Sequence, residues 1–390
     1  MPDTRSARLG DSALRAQFPV LEHGPYCNHA AIGPWPRCAA EAVQAFAEEN
    51  QRRGPTGYPA WIRRERELRQ ALADLTGAAG PADIALLKNT TEGISLVAWG
   101  LDWREGDNVV LPRDEFASNR LPWLAQRGRG VEAREIDIRA ADDAEAALIA
   151  ALDARTRVLT VSAVQWSDGF RLDLQRLGDA CRRRGVLFFV DAIQQLGALP
   201  MDVAACRIDF LAADAHKWLL GPEGIAVFYS SADARSRLQL LQQGWHMFED
   251  SWNFQRTDWT PTAGAKRFEA GSPNSVGQAA FHASLGLLLE FGMETVAKRV
   301  LGNSDQLIRR LQASPGLRLV SRTEAPRRSG IVTFAAESVP AAELHRKLLA
   351  AGVACALRGD GIRLSPHFYQ GEAEIEAFFE VLEGALPRRS

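Results

Sequence analysis

VLFFVDAIQQLG, residues Val186–Gly197, and DFLAADAHKWLLGPEG, residues Asp209–Gly224, are the stretches on which the fold turns. Each begins with a short apolar run, and each run stops at an acid. Asp191 follows Val186–Val190, and Asp214 follows Phe210–Ala212 within two residues. His216 and Lys217 come directly after. Short apolar runs separated by helical stretches make strands of one mostly parallel sheet with helices on both faces. Such sheets bind ligands beyond the carboxyl ends of their strands, where these charged residues fall.

The same rhythm extends outward. Apolar runs recur at Ile84–Leu87, Asn108–Leu111, Val131–Ile136, Arg157–Ser162 and Ile225–Tyr229. Helical spacing is found at Arg37–Glu49, Ala60–Leu75, Glu92–Trp99, Ser118–Gln126, Ala144–Leu152 and Leu172–Arg184. The segment from about residue 230 to Lys266 breaks the pattern and reads as irregular. Beyond it come a long helix at Ser275–Met293, strands at Leu317–Val320 and Ile331–Phe334, and a helix at Ala341–Ala351. Strands at Val353–Leu357 and Ile362–Ser365 and a helix at Glu372–Leu386 complete the chain. The expected organisation is an N-terminal segment, residues 1–30, packing with a small α+β domain at 266–390, and a large α/β domain at 31–265.

Composition removes several function classes. The chain has 390 residues, 46 basic and 48 acidic, so it lacks the basic excess of a nucleic-acid binder. No apolar stretch nears the ~20 residues of a membrane span, and the start lacks the apolar core of a secretory signal. Five cysteines with no C-x-x-C pair argue against a disulfide framework and a zinc site. These features imply a soluble protein of a reducing compartment, the cytoplasm. No G-x-G-x-x-G or Walker-type glycine loop follows a strand, which weakens a nucleotide-binding reading.

The residues themselves suggest chemistry. A lysine partly desolvated in a strand-end crevice can be neutral and nucleophilic, the state that forms a Schiff base. An acid aimed at the same crevice can keep a pyridine ring protonated and electron-accepting. KNTTEGISLV at Lys88–Val97 opens a helix with hydroxyls and free N–H groups, which suits a phosphate. Taken alone, Thr90 or Thr91 with Glu92 reads equally as an ordinary helix cap.

Asp191 with Gln194, His216-Lys217 in DAHKWLLGPEG, and RFEAGSPNS at Arg267–Ser275 together resemble the fold-type I pyridoxal-phosphate enzymes of the aminotransferase class V family. The resemblance runs from YCNHAAIGP at Tyr26–Pro34 to IRLSPHFY at Ile362–Tyr369. It implies a large domain with a mostly parallel seven-stranded sheet and a smaller C-terminal α+β domain. It implies pyridoxal 5'-phosphate as cofactor, held as a Schiff base on Lys217, with Asp191 on the pyridine nitrogen and Gln194 on the phenolate oxygen. Thr90, Thr91 and His216 would cradle the phosphate. Asp214 stands where many relatives carry Ser or Asn, and Phe116 matches the residue stacked on the ring. Gly271 and Ser272 match a loop that reaches the neighbouring subunit's site, so a homodimer is implied. Arg363 matches the grip on the substrate carboxylate. Asn28 and His29 match the segment lining the substrate side, with Gln165 and Arg358 as further substrate-side groups.

One departure bears on activity. Desulfurases that form a persulfide carry a cysteine on a long loop before the carboxylate-binding arginine. Here CALRGDGIR leaves no such loop, and Cys355 reads as a core thiol. The sequence therefore points to an aminotransferase or a β-eliminating carbon–sulfur lyase acting on an amino acid. An epimerase resembling isopenicillin N epimerase is the alternative. A non-catalytic binding protein of this fold would be expected to lose Lys217 or Asp191, and both are present.

Overall fold

The computed structural model describes residues 10–255 and 257–387. The expectations that touch residues 1–9, 256 and 388–390, at the ends of the N-terminal segment and small domain and within the irregular stretch, lie outside them.

Seven strands form the large sheet: β1 Ile84–Leu87, β2 Asn108–Pro112, β3 Glu132–Ile136, β4 Thr156–Ser162, β5 Leu187–Asp191, β6 Phe210–Asp214 and β7 Ala226–Ser230. Their order is β1-β7-β6-β5-β4-β2-β3. β6, β5, β4, β2 and β3 run parallel, and β7 runs antiparallel to both of its neighbours. Side chains alternate between the two faces, as the strand period of two requires. Phe188, Val190, Leu211 and Ala213 join one core, and Leu187, Phe189, Phe210 and Ala212 the other. The helices Tyr58–Thr76, Leu174–Arg184 and Ser275–Phe291 cover the first face, and Thr90–Gly100 covers the second. Burying one such Phe stabilises the fold by about 1.5–3 kcal/mol.

A second, antiparallel sheet has the order β10-β11-β9-β8, from β8 Leu317–Leu319, β9 Val332–Ala336, β10 Ala356–Arg358 and β11 Gly361–Leu364. It packs on the helices Ala341–Ala350 and Glu372–Ala385 through Leu344, Leu348, Phe378 and Leu382. Tyr26 and Asn28 form isolated parallel bridges to Ala354 and Ser365, so the N-terminal segment docks beside this sheet. No helix among the described residues is long and apolar enough to cross a membrane.

Several boundaries differ from expectation for identifiable reasons. The helix expected at Ser118–Gln126 is α-helical only over Leu121–Leu124, between 3-10 turns. Strand β10 starts at Ala356, because Ala354 is engaged by the N-terminal segment: its carbonyl accepts from Cys27 N. The helix Met293–Ala313 has no counterpart in the sequence reading. Its buried stripe of Val296, Val300, Leu307 and Leu311 is interrupted by Asn303 and Ser304. Those two are buried because Asn303 Nδ2 donates to the His367 and Gln370 carbonyls, and Ser304 Oγ donates to the Ser329 carbonyl.

Candidate active site

The carboxyl ends of β4, β5 and β6, the start of the helix Thr90–Gly100, and the end of β10 with β11 converge on a cavity of ≈ 250 Å³. Thr90, Phe116, Asp191, Gln194, Asp214, His216, Lys217, Arg358 and Arg363 line it, with Ala30, Ala31, Ser118, Trp166 and Ile193.

Lys217 sits on a tight turn after β6. Leu220 N donates to the Lys217 carbonyl, and Leu220, wholly buried, adopts φ +58°. A non-glycine residue held there costs roughly 1–3 kcal/mol, so the surrounding packing imposes the turn. Two glycines let neighbouring chain approach it. A Cβ on Gly33 would stand 2.1 Å from the Lys217 carbonyl oxygen, and one on Gly197, at φ +90°, 2.2 Å from that of Trp218.

The charges here are displaced from their ordinary balance. Burial pulls Lys217 down to about 8, partly opposed by Asp191 and Asp214 and helped by Arg363 and Arg358. Burial lifts Asp191, 2 % exposed, to about 6, although Ile193 N donates to its Oδ1. Burial and the nearby Lys217 lower His216 to about 4, so its ring is neutral at pH 7. Arg363, 1 % exposed, is lowered to about 9 by burial and by Arg358, and stays a cation at neutral pH. Its Nη1 donates to the Trp166 carbonyl at 2.6 Å, while its buried Nε and Nη2 have no hydrogen-bond partner. Arg358 lies 5.5 Å from the Trp166 ring centroid, with its own Nε unpartnered.

Gln194 has a fixed orientation. The Trp218 indole N–H, which can only donate, bonds to Oε1 at 2.9 Å, and Nε2 donates to the Ala30 carbonyl at 3.0 Å. One amide hydrogen therefore remains for a ligand. Phe116 is 43 % exposed, its centroid 5.6 Å from Lys217 Nζ, so a ring face is free for stacking. At the helix start, Asn89 rather than Thr90 or Thr91 is the cap, accepting from Glu92 N at 2.8 Å.

The family model for aminotransferase class V matches residues 28–378. The chain is a class-V aminotransferase family member. Class-V aminotransferases use pyridoxal phosphate, and it is this enzyme's cofactor. A probable cysteine desulfurase of Methanothermobacter thermautotrophicus is 29 % identical over 95 % of this chain and 96 % of its own. Isopenicillin N epimerase of Streptomyces clavuligerus is 29 % identical over 91 % and 93 %. A C-DES variant with glycine covalently linked to its PLP cofactor superposes with TM-score 0.88 at 28 % identity, over 95 % of this chain and 99 % of that one. The cystine C-S lyase C-DES with its product cysteine persulfide gives TM-score 0.85 at 28 % identity, over 94 % and 99 %.

The cavity of this class-V enzyme fits the cofactor. It offers an acid for a ring nitrogen, an N–H for a phenolate, a flat aromatic face, an enclosed amine, and a helix start with neighbouring hydroxyls for a phosphate.

Six residues expected at the site do not line the cavity. Thr91 stands at its rim, donating to Ser118 Oγ at 2.8 Å. Asn28 and His29 lie behind Ala30. His29 is wholly buried, bonded to the Ser365 carbonyl and the Tyr369 hydroxyl, because it ties the N-terminal segment to the end of β11. Gln165 turns away and donates to Glu115. Gly271 and Ser272 line a different cavity with Lys88, Glu92 and Gln242.

Sequence reasoning missed Trp166, Ser118 and Glu115. Glu115, 6 % exposed, accepts from Ser162 N and Oγ and from Gln165 Nε2, and burial lifts it to about 7. Trp166 carried a readable signal, following an apolar strand at its carboxyl end. Glu115 carried none, since only the fold buries it. None of the five cysteines lines the cavity; Cys355 is 4 % exposed and burial pushes it up to about 12.

Proposed function

We propose that this enzyme acts at Cα and Cβ of a free amino acid, as an aminotransferase or as a β-eliminating carbon–sulfur lyase that passes no sulfur to a cysteine of its own. One observation carries the reading: a desolvated lysine faces Asp191 and a half-partnered Arg363 in a cavity that no cysteine lines. The bound cofactor supplies a protonated ring that accepts the electron pair left at Cα. Asp191 keeps the ring nitrogen protonated, Gln194 donates to the phenolate oxygen and Phe116 covers the ring face. Thr90, His216 and Ser118 hold the phosphate, with Thr91 at the rim supporting Ser118. Lys217, pulled toward neutrality, removes and returns the Cα proton. Arg363 offers Nε and Nη2 to the substrate carboxylate, an edge that binds both oxygens. Arg358 and Trp166 form the wall beyond it.

The carbon–sulfur branch is supported by likeness to a cystine lyase and by the thiol of Cys355, too buried to be a nucleophile. Epimerisation is the second reading, favoured by the identity to isopenicillin N epimerase. It needs a proton delivered to the opposite face, and the acids lining the cavity, Asp191 and Asp214, are engaged elsewhere.

The assembly we propose is a homodimer in which Gly271 and Ser272 serve the other copy's site. Their separation from their own Lys217 cavity supports this, as do the exposed Trp35, Trp252 and Phe254. Five free cysteines suit a reducing compartment such as the cytoplasm.

The test combines an absorption spectrum with a panel of amino acids. A visible band lost in Lys217→Ala, with pyruvate and sulfide released from cysteine or cystine, supports the lyase. Keto-acid-dependent turnover selects the aminotransferase, and D-enantiomer formation the epimerase. Turnover that survives in Lys217→Ala overturns the assignment. Light scattering that returns a monomer mass overturns the dimer.

A further inference from the structure

The helix Thr90–Gly100 opens on the cavity, and a helix start attracts anions through its free N–H groups and its dipole. A carboxyl group already stands there. Asp214 Oδ1 accepts from Thr90 N at 2.9 Å, and Asp214 N donates back to Thr90 Oγ1 at 3.0 Å. Asp214 is 9 % exposed and lines the cavity, with Oδ2 3.8 Å from His216 Nδ1. A phosphate monoester brings about −1.5 to −2 charges at neutral pH. Two anions at one helix start in a desolvated pocket repel unless a cation or a proton comes between them.

Among the described residues around it no spare cation stands free: Lys88, ahead of the helix, pairs with Glu92 at 3.7 Å. From β5, Asp191 adds a like charge. From the turn after β6, His216 is neutral, and Lys217 is the amine that the cofactor claims. Across the cavity, Arg358 and Arg363 face the substrate side. On β7, the register partner of Asp214 is Ala226, which carries no charge.

We propose that Asp214 is the acid of the phosphate cradle, taking one proton from solvent when a phosphate ester binds. Oδ1 keeps accepting from Thr90 N, and the new O–H on Oδ2 donates to a phosphate oxygen. The only bond formed is that O–H, and nothing is oxidised or reduced. Burial already lifts this carboxyl to about 6, which makes the proton easy to acquire. The inference rests on the reading that the Lys217 cavity holds pyridoxal phosphate. It adds a proton coupling to cofactor binding.

Pyridoxal 5'-phosphate is titrated into Lys217→Ala protein and into Lys217→Ala/Asp214→Asn protein, followed by tryptophan fluorescence between about pH 5.5 and about pH 9. Removing Lys217 removes an amine that titrates in the same range. The ester's own ionisation acts equally on both proteins. Above about pH 7 the Asp214 protein is expected to lose affinity about tenfold more per pH unit than the Asn variant. At about pH 8.5 the Asn variant binds at least ~10-fold tighter. Calorimetry in two buffers of different ionisation enthalpy counts roughly one more proton taken up with Asp214 present. Asp214→Ser, which also lacks the charge, repeats the result should the Asn variant be unstable. Equal slopes with tight binding in both overturn this proposal alone. Weaker binding of the Asn and Ser variants at every pH also overturns it, because the carboxylate is then wanted charged. Failure of every variant and the wild type to bind overturns the cofactor reading together with it.

Discussion

Two cavities among the described residues each hold a buried arginine, and they differ in whether that charge is matched. The larger, ≈ 830 Å³, lies between the helix Tyr58–Thr76 and residues 246–278. Its central cation is fully engaged. Arg69 donates to Glu65 at 2.6 Å, to both oxygens of Glu269 at 2.5 and 3.0 Å, and to the Ile84 carbonyl at 2.9 Å. Burial pushes Glu65 up, but the charge and hydrogen bond of Arg69 outweigh it and hold the carboxyl below its ordinary value. In the smaller cavity the balance is reversed. Arg363 has two unpartnered nitrogens, Lys217 is pulled down and Asp191 is pushed up. The arginine of the larger cavity is a clamp between two carboxylates, whereas that of the smaller one is held by a single carbonyl. Cavity size does not separate them; unmatched charge does.

The strongest way to break this comparison is Lys217→Ala. We expect turnover to fall by at least ~10³, the scale of a lost general base, with the visible cofactor band lost. Retained thermal stability would show that Lys217 serves chemistry and not packing.

Next comes a mirrored pair. Arg69→Met strands two buried carboxylates and should cost about 3–5 kcal/mol in denaturant unfolding, leaving the cofactor spectrum unchanged. Arg363→Met should leave unfolding within about 1 kcal/mol of wild type while lowering kcat/KM by roughly 10², the worth of charged hydrogen bonds to a carboxylate. If the two effects exchange places, the division between clamp and ligand site fails.

A smaller effect concerns Asp191 and pH. Its carboxyl is raised from 3.8 to about 6, so between those values the folded state keeps a proton that the unfolded chain has lost. Stability from this group therefore falls as pH rises through that window, and the full penalty applies above it. The apo form of Asp191→Asn should be more stable than wild type by about 1–3 kcal/mol at about pH 7, and equal to it near pH 4. Melting curves at the two pH values decide it. Phe116→Ala should show the least change, weakening cofactor binding by about 0.5–1.5 kcal/mol, or roughly 2-fold to 13-fold in Kd.

Much of the fold was readable because strand periodicity and strand ends are local signals. Val186–Val190 and Phe210–Ala212 announce buried strands by composition, and Asp191, Asp214 and Lys217 follow them by spacing alone. The helix Met293–Ala313 was not readable, because Asn303 and Ser304 sit in its apolar stripe to bond loops distant in sequence. The positions of Gln165 and His29 were likewise invisible. Their partners, Glu115 and Tyr369, lie 50 and 340 residues away.

By itself, the sequence determined a mostly parallel sheet, a lysine and an acid at adjacent strand ends, and a cysteine set without a catalytic thiol loop. Those features depend on neighbours along the chain. The tertiary structure alone decided which polar groups are paired. It left Arg363 half-partnered, aimed one hydrogen of Gln194 at the cavity, and set Asp214 on the helix start. Desolvation and hydrogen-bond satisfaction arise only when distant segments close around a group, so no local pattern encodes them.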